Sequence, residues 1–358
     1  MVVSLVNDFV VKSTVHDYKV NFIDNTSSIL KSLCIEGDII IVDNNIFNLY
    51  PKLFTGINKN INIKKIKASE SQKSYEGIIP IINDLINNGF RKNNRLIAIG
   101  GGIIQDITAF IASIMFRGVD WFLFPTTLLA QGDSCIGSKT SINFKKFKNQ
   151  IGGFYPPLEI FINTSFLDTL SQIDLQSGLG EMCHYFIVAG EKKFNNYKKN
   201  YSNLSKDKKI LSKMILNSLE IKKEYIEIDE FDKNKRRIFN YGHTFGHAIE
   251  SLTKYKVPHG IAVSIGMDMA NFISVKKGLM LERTRYEIRE LLEKIWNEVK
   301  IDKLNVSDFS LALSKDKKNI GKKLRLILCK NYGELFIVDQ HLNDEFKSWL
   351  SEYFINEL

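Results

Sequence analysis

The sequence predicts an α/β N-terminal domain built on a parallel sheet, residues 1–170, followed by a mostly α-helical C-terminal domain, residues 171–358. Three observations carry this reading. Short, continuously apolar runs alternate with segments of helical period in the first half, as in strands buried on both faces and joined by helices. After about residue 175, strand-like runs nearly vanish and long helical patterns follow one another. The length of 358 residues suits two domains.

Taken in order, Asp38–Val42 reads as a buried strand ending at Asp43, and Ile61–Ile66 alternates like a second. Ser74–Gly89 reads as a helix with Ile78, Ile79, Ile82 and Leu85 on one side. Arg95–Ile99 is another buried strand, followed by three glycines and the helical run Ile107–Phe116; Trp121–Phe124 is one more strand. The second half reads as helices over Asp207–Glu227, Ile238–Thr253, Gly260–Gly278, Leu281–Val299 and Asp344–Leu358, with one short strand at Arg325–Cys329. A small-molecule site is expected between the two domains.

Hydrophobic residues make up 44% and charged residues 25%, which excludes disorder as the main state; 6 Pro and 22 Gly exclude a collagen-like chain. The net charge of +9 is spread over pairs such as Lys64-Lys65 and Lys198-Lys199, so solvated surface is expected rather than a nucleic-acid stripe. Cys34, Cys135, Cys183 and Cys329 lie far apart with no CxxC pair, which fits a reducing cytoplasm rather than a disulfide framework. The N-terminal stretch lacks a basic leader, and no apolar run of membrane-spanning length occurs, so a cytoplasmic protein without a membrane partner is expected.

Three constellations carry chemistry. Gly100-Gly101-Gly102 follows a strand and precedes a helix, so the backbone can approach a pyrophosphate at a helix N-terminus; the alternative is a tight turn packed in the sheet. Gly132–Thr140 resembles a Walker A loop but has one residue too many before its lysine, which argues against nucleotide hydrolysis. Arg117, Thr126, Thr127, Asp133, Lys139, Lys148 and Asn149 then group hydroxyls, cations and an amide. These types suit a dinucleotide and a phosphate or carboxylate, with surface lysines as the alternative.

The histidines are the strongest signal. His243, His247 and His259 fall within one short stretch, with His243 and His247 at i, i+4 on one helical face and His259 at a helix start. A catalytic zinc takes three protein ligands and keeps one position open. The motif is not HExxH, so the third ligand must be distant in sequence; Glu181, at an expected helix start, is the candidate. The alternative is a set of packing histidines without metal.

Together these stretches resemble 3-dehydroquinate synthase, within the sugar phosphate cyclases. The matches are Gly100–Asp106, Arg117-Gly118, Pro125–Ala130, Asp133–Gly137, Lys139-Thr140, Lys148-Asn149, Asn240–Glu250 and His259-Gly260, in that order along the chain. The resemblance implies an NAD- and metal-dependent lyase of the shikimate pathway, a homodimer using zinc or cobalt. Its substrate would be 3-deoxy-D-arabino-heptulosonate 7-phosphate, converted to 3-dehydroquinate and phosphate by transient oxidation, phosphate elimination, reduction and aldol closure. By the same match, Glu181, His243 and His259 bind metal. Lys139, Asn149, Asn240 and His247 grip phosphate, and Arg117 is the candidate to reach across a dimer. Arg236 pairs with the substrate carboxylate, while Asp133, Lys148 and Lys222 contact the polyol. Asp43, Glu70, Lys73, Gly101, Gly102, Asp106, Thr126, Thr127, Leu129 and Thr169, with Lys139 and Lys148, form the NAD side. Either Lys317 or Lys318 matches a late family lysine.

The sequence departs from the family at His184, where Glu-x-x-Lys is usual after the metal-binding glutamate and the lysine is expected to touch substrate. Ile173-Asp174 stands for Arg-Glu, and Ser138 and Ser141 stand for glycines. The change at His184 keeps open another sugar phosphate cyclase of aminocyclitol or secondary metabolism; an NAD- and metal-dependent polyol dehydrogenase, which shares the architecture, is a second alternative. A non-enzymatic binder is a third.

Overall fold

The computed structural model describes residues 7–145, 147–301, 304–314 and 323–358; Lys317 and Lys318 lie outside them. The chain divides into two compact units, Met1–Leu170 with Asp207–Phe231, and Ser171–Lys206 with Asp232–Leu358.

The first unit contains β1 (Phe9–Val11), β2 (Tyr18–Phe22), α1 (Thr26–Leu33), β3 (Ile39–Asp43), α2 (Asn44–Leu49), β4 (Asn62–Ile66), α3 (Tyr75–Asn87), β5 (Leu96–Gly100), α4 (Gly102–Ile114), β6 (Trp121–Pro125), β7 (Lys139–Phe144), β8 (Phe147–Phe154) and β9 (Glu159–Ile162). Seven strands form one sheet in the order β1-β2-β9-β6-β5-β3-β4. It is parallel except where β1 runs against β2. The central strands are apolar throughout because both faces are covered. Ile40, Val42, Ile97, Ile99, Phe122 and Phe124 pack on one side with Leu30, Ile46 and Phe166. Their alternate neighbours Ile41, Ala98 and Leu123 are equally buried on the other, the side of α4. β4 is the outer strand and carries Lys64 and Lys65, charges that discourage edge pairing.

Two hairpins were not legible as apolar runs. β1 has only three residues, and β8 is mostly exposed, so neither shows the apolar alternation that marks a strand. Between β6 and β7 the chain makes a π-helical turn at Ala130–Ser134, a geometry enriched at functional sites.

The second unit begins with α5 (Gln172–Val188) and α6 (Glu191–Asn200). The chain then leaves it for α7 (Lys208–Ile228). The sequence reading carried the helical domain unbroken from 171 to 358. Instead α7 belongs to the first unit, where it packs on the Ala130–Ser134 turn and on Thr164–Thr169. Its period predicts which face is buried but not what covers that face.

The second unit continues with α8 (His243–Leu252), α9 (His259–Lys276), α10 (Glu282–Trp296), α11 (Val306–Ser314), the antiparallel pair β10 (Lys323–Asn331) and β11 (Glu334–His341), and α12 (Asp344–Asn356). The helix expected over Ile238–Thr253 is broken. A 3₁₀ turn spans Lys235–Asn240, Gly242 turns left-handed at φ +79°, and α8 starts at His243. Among the described residues no helix is long and apolar enough to cross a membrane.

α9 is buried from Gly260 through Ser274 and forms the centre of this unit. It carries a charge, Asp268, with no exposed surface. Arg285 donates to both of its oxygens at 3.1 and 2.9 Å, Tyr353 Oη donates at 2.8 Å, and Arg289 also donates. Arg285 reaches Glu357 at 3.1 and 3.0 Å, so the chain end is fastened to α9 through α10. Removing one partner of a buried ion cluster strands the other charge. Arg285→Met should therefore lower the unfolding free energy by about 3 kcal/mol in urea titrations. Arg283→Met, at the exposed pair with Glu287, should leave the midpoint unchanged.

Candidate active site

The three candidate metal ligands come from three helices of the second unit, and each stands beside a glycine. Glu181 follows Gly180 in the middle of α5, not at a helix start as the sequence suggested; His243 follows Gly242 at the start of α8; His259 precedes Gly260 at the start of α9. The glycines let the backbones touch. A Cβ on Gly260 would lie 1.8 Å from Ser177 O, and one on Gly180 would lie 2.4 Å from Gly260 O. The same holds between α8 and α9, where a Cβ on Gly266 would meet Gly242 O at 2.0 Å. Gly260 N donates to Ser177 Oγ at 3.0 Å, which sets the α5–α9 register.

The result is a convergence of donor atoms. Glu181 Oε1 lies 3.4 Å from His243 Nε2, and Glu181 Oε2 lies 3.5 Å from His259 Nε2. Ligand atoms on a tetrahedron with bonds of ~2.0–2.1 Å stand about 3.3 Å apart, so these separations fit a zinc or cobalt ion. The outer nitrogens are also occupied. His259 Nδ1 donates to Glu250 Oε2 at 3.0 Å, and His243 Nδ1 donates to Tyr241 O at 3.2 Å. Each Nδ1 thus donates outward, and in a neutral ring the lone pair of Nε2 faces a carboxylate oxygen. Three lone-pair donors facing one another call for a cation among them, and carboxylate–histidine pairs of this kind orient metal ligands. Tyr241 is itself held by Tyr241 Oη donating to Asn271 Oδ1 of α9 at 2.6 Å.

His247 is exposed; its ring stacks on His259 at 5.8 Å and lies 5.6 Å from His243. His247, Glu250 and His259 form a second group of potential ligands, sharing His259 with the first. His184 is 1% exposed, packed against Tyr185, Phe239 and His243, with Nδ1 3.7 Å from Glu181 Oε1. Arg236 is buried in the 3₁₀ turn before α8, and Asn240 Nδ2 donates to Arg237 O at 2.9 Å.

The first unit gathers the remaining candidates into clusters. Lys73 Nζ donates to Asp106 Oδ2 and Asn149 Oδ1, both at 2.9 Å. Lys148 Nζ donates to Glu70 Oε1 at 3.1 Å. Asn143 joins the two pairs: its Nδ2 donates to Glu70 Oε2 at 2.8 Å, and its Oδ1 accepts from Asn149 N at 3.0 Å. Burial pushes the Asp106 carboxyl up, against the pull of Lys73. Gly101 caps α4, and a Cβ there would press on Thr127 Cγ2 at 2.8 Å; at Gly102 it would meet nothing closer than 3.8 Å. Thr126 N donates to Gly100 O at 3.0 Å, and Leu129 immediately precedes the π-helical turn. In that turn Lys222 Nζ of α7 donates to Asp133 O at 2.6 Å and Oδ1 at 2.8 Å.

Asp43, Thr169 and Arg117 stand outside these clusters. Asp43 Oδ1 caps α2 by accepting from Asn45 N at 3.0 Å, and burial raises its carboxyl. Thr169 Oγ1 shares a hydrogen bond with Tyr50 Oη at 2.9 Å. Arg117 is exposed on left-handed backbone at φ +65°, and its guanidinium meets no carboxylate among the described residues. Lys139 is exposed at the first position of β7.

Profiles of 3-dehydroquinate synthase match in two parts, the N-terminal part over residues 63–177 and the C-terminal part over 178–319. The chain is 40% identical over 279 residues to the 3-dehydroquinate synthase of Dictyoglomus thermophilum, covering 76% of this chain and 78% of that protein. The chain belongs to the 3-dehydroquinate synthase family. Its fold is that of the sugar phosphate cyclases. A structure of 2-deoxy-scyllo-inosose synthase with carbaglucose-6-phosphate, NAD+ and Co2+ superposes with a TM-score of 0.84 at 22% identity, covering 98% of this chain and 100% of that one. ValA, the 2-epi-5-epi-valiolone synthase of Streptomyces hygroscopicus subsp. jinggangensis 5008 with NAD+ and Zn2+, gives 0.83 at 22% identity, covering 94% and 96%.

For this member of the 3-dehydroquinate synthase family, sequence reasoning missed Glu250, Tyr241 and Asn143. Glu250 was legible, seven residues after His243 and three after His247 on the same helical face. The glycine beside each ligand was a signal as well. Tyr241 acts through its carbonyl, which no side-chain pattern reveals.

Two outcomes test the geometry. Gly260→Ala should push α9 off Ser177 and abolish stoichiometric zinc binding, measured by metal analysis after dialysis, while helical circular dichroism is largely kept. Glu250→Gln should weaken zinc about 10–100-fold in chelator competition, because the carboxylate that orients His259 is lost.

Proposed function

We propose that this chain converts 3-deoxy-D-arabino-heptulosonate 7-phosphate to 3-dehydroquinate and inorganic phosphate, with NAD and a divalent metal, zinc or cobalt, as resident cofactors. The observation that carries this reading is the convergence of Glu181, His243 and His259 in a chain of the 3-dehydroquinate synthase family. When bound, NAD supplies a reversible hydride acceptor and the metal a Lewis acid for the substrate hydroxyl that is oxidised.

The chain's own residues do the rest. Glu181, His243 and His259 hold the metal, while Glu250 and Tyr241 keep both Nε2 atoms turned toward it. His184 brings an imidazole rather than an ammonium to within 3.7 Å of the Glu181 carboxylate. Gly101 and Gly102 open the backbone at the start of α4, where free N–H groups suit a pyrophosphate. Asp43, Glu70, Lys73, Asp106, Thr126, Thr127, Leu129 and Thr169, with Lys139 and Lys148, complete the NAD side. Lys139, Asn149, Asn240, His247 and Arg117 are assigned to phosphate, and Arg236, a planar two-pronged donor, to the carboxylate. Lys148 and Asp133 are assigned to the polyol. Asp133, held by Lys222, is a fixed acceptor for a hydroxyl proton. The enzyme acts as a cytoplasmic homodimer; four free cysteines fit a reducing compartment, and exposed Ile114 and Phe116 beside Arg117 supply apolar surface.

Incubation with NAD, Co2+ and the heptulosonate phosphate should release phosphate and form 3-dehydroquinate in equal amounts with no net NADH. Accumulating NADH without phosphate would identify a polyol dehydrogenase instead. Glu181→Ala and His243→Ala should each lose bound metal and activity together; full activity in either variant overturns the ligand assignment.

A further inference from the structure

The segment Gly132–Lys139 leads from the π-helical turn into β7, and it is fastened step by step. Ser218 Oγ donates to Gly132 O at 2.8 Å, Lys222 Nζ to Asp133 O at 2.6 Å, and Gln105 Nε2 to Ser134 O at 2.6 Å. Gly137 N donates to Tyr18 Oη at 2.9 Å. Ser138 then adopts φ +64°, a left-handed conformation costly for any residue with a Cβ. Its carbonyl accepts from Tyr155 N at 2.7 Å, and its Oγ donates to Glu230 Oε1 at 3.5 Å. The next residue is the exposed Lys139.

Glu230 is buried just beyond the end of α7. Its carboxylate also accepts from Ser13 Oγ at 2.5 Å, Thr14 N at 2.8 Å and Thr14 Oγ1 at 2.7 Å. Burial would raise this carboxyl, but the donors outweigh it and hold it below the usual range. One ionised group thus ties together the β1–β2 turn, the end of α7 and the left-handed residue before Lys139.

We propose that Glu230 is a positioning residue for phosphate binding: it holds Ser138 in its left-handed conformation and so aims the Lys139 ammonium. This rests on the assignment of Lys139 to phosphate. Loss of that bond removes one restraint on Ser138, whose carbonyl still accepts from Tyr155 N, and eases its relaxation toward extended backbone, which redirects the side chain that follows.

The test uses the full chain with NAD and Co2+, comparing Glu230→Gln, Ser138→Ala, Lys139→Ala and the double variant Glu230→Gln/Ser138→Gly. Steady-state kinetics, inhibition by inorganic phosphate, NAD affinity and melting temperature are measured. Glu230→Gln should raise KM and the phosphate inhibition constant together by about tenfold, with kcat within about twofold. Ser138→Ala, which keeps Glu230 and its other donors, should shift both constants the same way by about threefold. Adding Ser138→Gly should recover part of the loss, because glycine takes this backbone region without a steric cost. Unchanged phosphate inhibition in both Glu230→Gln and Ser138→Ala overturns the proposal, as does a uniform fall in kcat, NAD affinity and melting temperature. Lys139→Ala separates the two layers. If it leaves phosphate inhibition unchanged, the Lys139 assignment falls and takes the proposal with it. If it weakens phosphate while Glu230→Gln does not, the positioning role alone falls.

Discussion

The contact of α5 with α9 through paired glycines is the constraint on which the candidate metal centre depends. Gly180 and Gly260 bring two helix backbones to a separation that no side chain permits. Glu181 and His259 are their immediate neighbours in sequence, so the distance between carboxylate and imidazole is set by backbone against backbone. Gly242 and Gly266 do the same for His243. Because α9 is buried along most of its length, and Asp268 ties it to α10 and α12, the ligands stand on a rigid element.

A second layer decides what those ligands can hold. Glu250 and the Tyr241 carbonyl take the outer nitrogens, so in neutral rings both inner nitrogens present lone pairs. With neutral rings the pattern suits a borderline cation, since two acceptor nitrogens and a carboxylate then converge on one point. Histidine clusters in helical proteins are commonly packing residues. Here the outer partners Glu250 and Tyr241 give both rings the orientation that a ligand set would need.

In the first unit the same logic applies to polar groups around a sheet. The strands are apolar on both faces, and polar groups and glycines gather at their C-terminal ends, where Asp43, Gly100–Gly102 and the turn after β6 lie. Charged side chains there are bound to one another: Lys73 to Asp106 and Asn149, Lys148 to Glu70, Lys222 to Asp133. A network of this kind holds the cations in place, which would lower the ordering cost of any ligand they met.

Much of this was legible in the residues themselves. Periodicity marked the central strands and the long helices, because burial on two faces or on one stripe writes directly into residue order. The spacing of His243, His247 and His259, and the ordered motifs around Gly100 and Asn240, were enough to indicate chemistry and family. The exposed hairpin β7–β8 and the strand β11 left no such trace, since half-solvated strands tolerate polar residues on most positions. What folding alone decided was association between distant segments. It placed α7 with the sheet rather than with its neighbours in sequence, chose Glu181 as the partner of two histidines more than sixty residues away, and joined Glu230 to Ser13, Thr14 and Ser138. Local sequence encodes which surface of an element must be covered; only the packed chain determines which other element covers it.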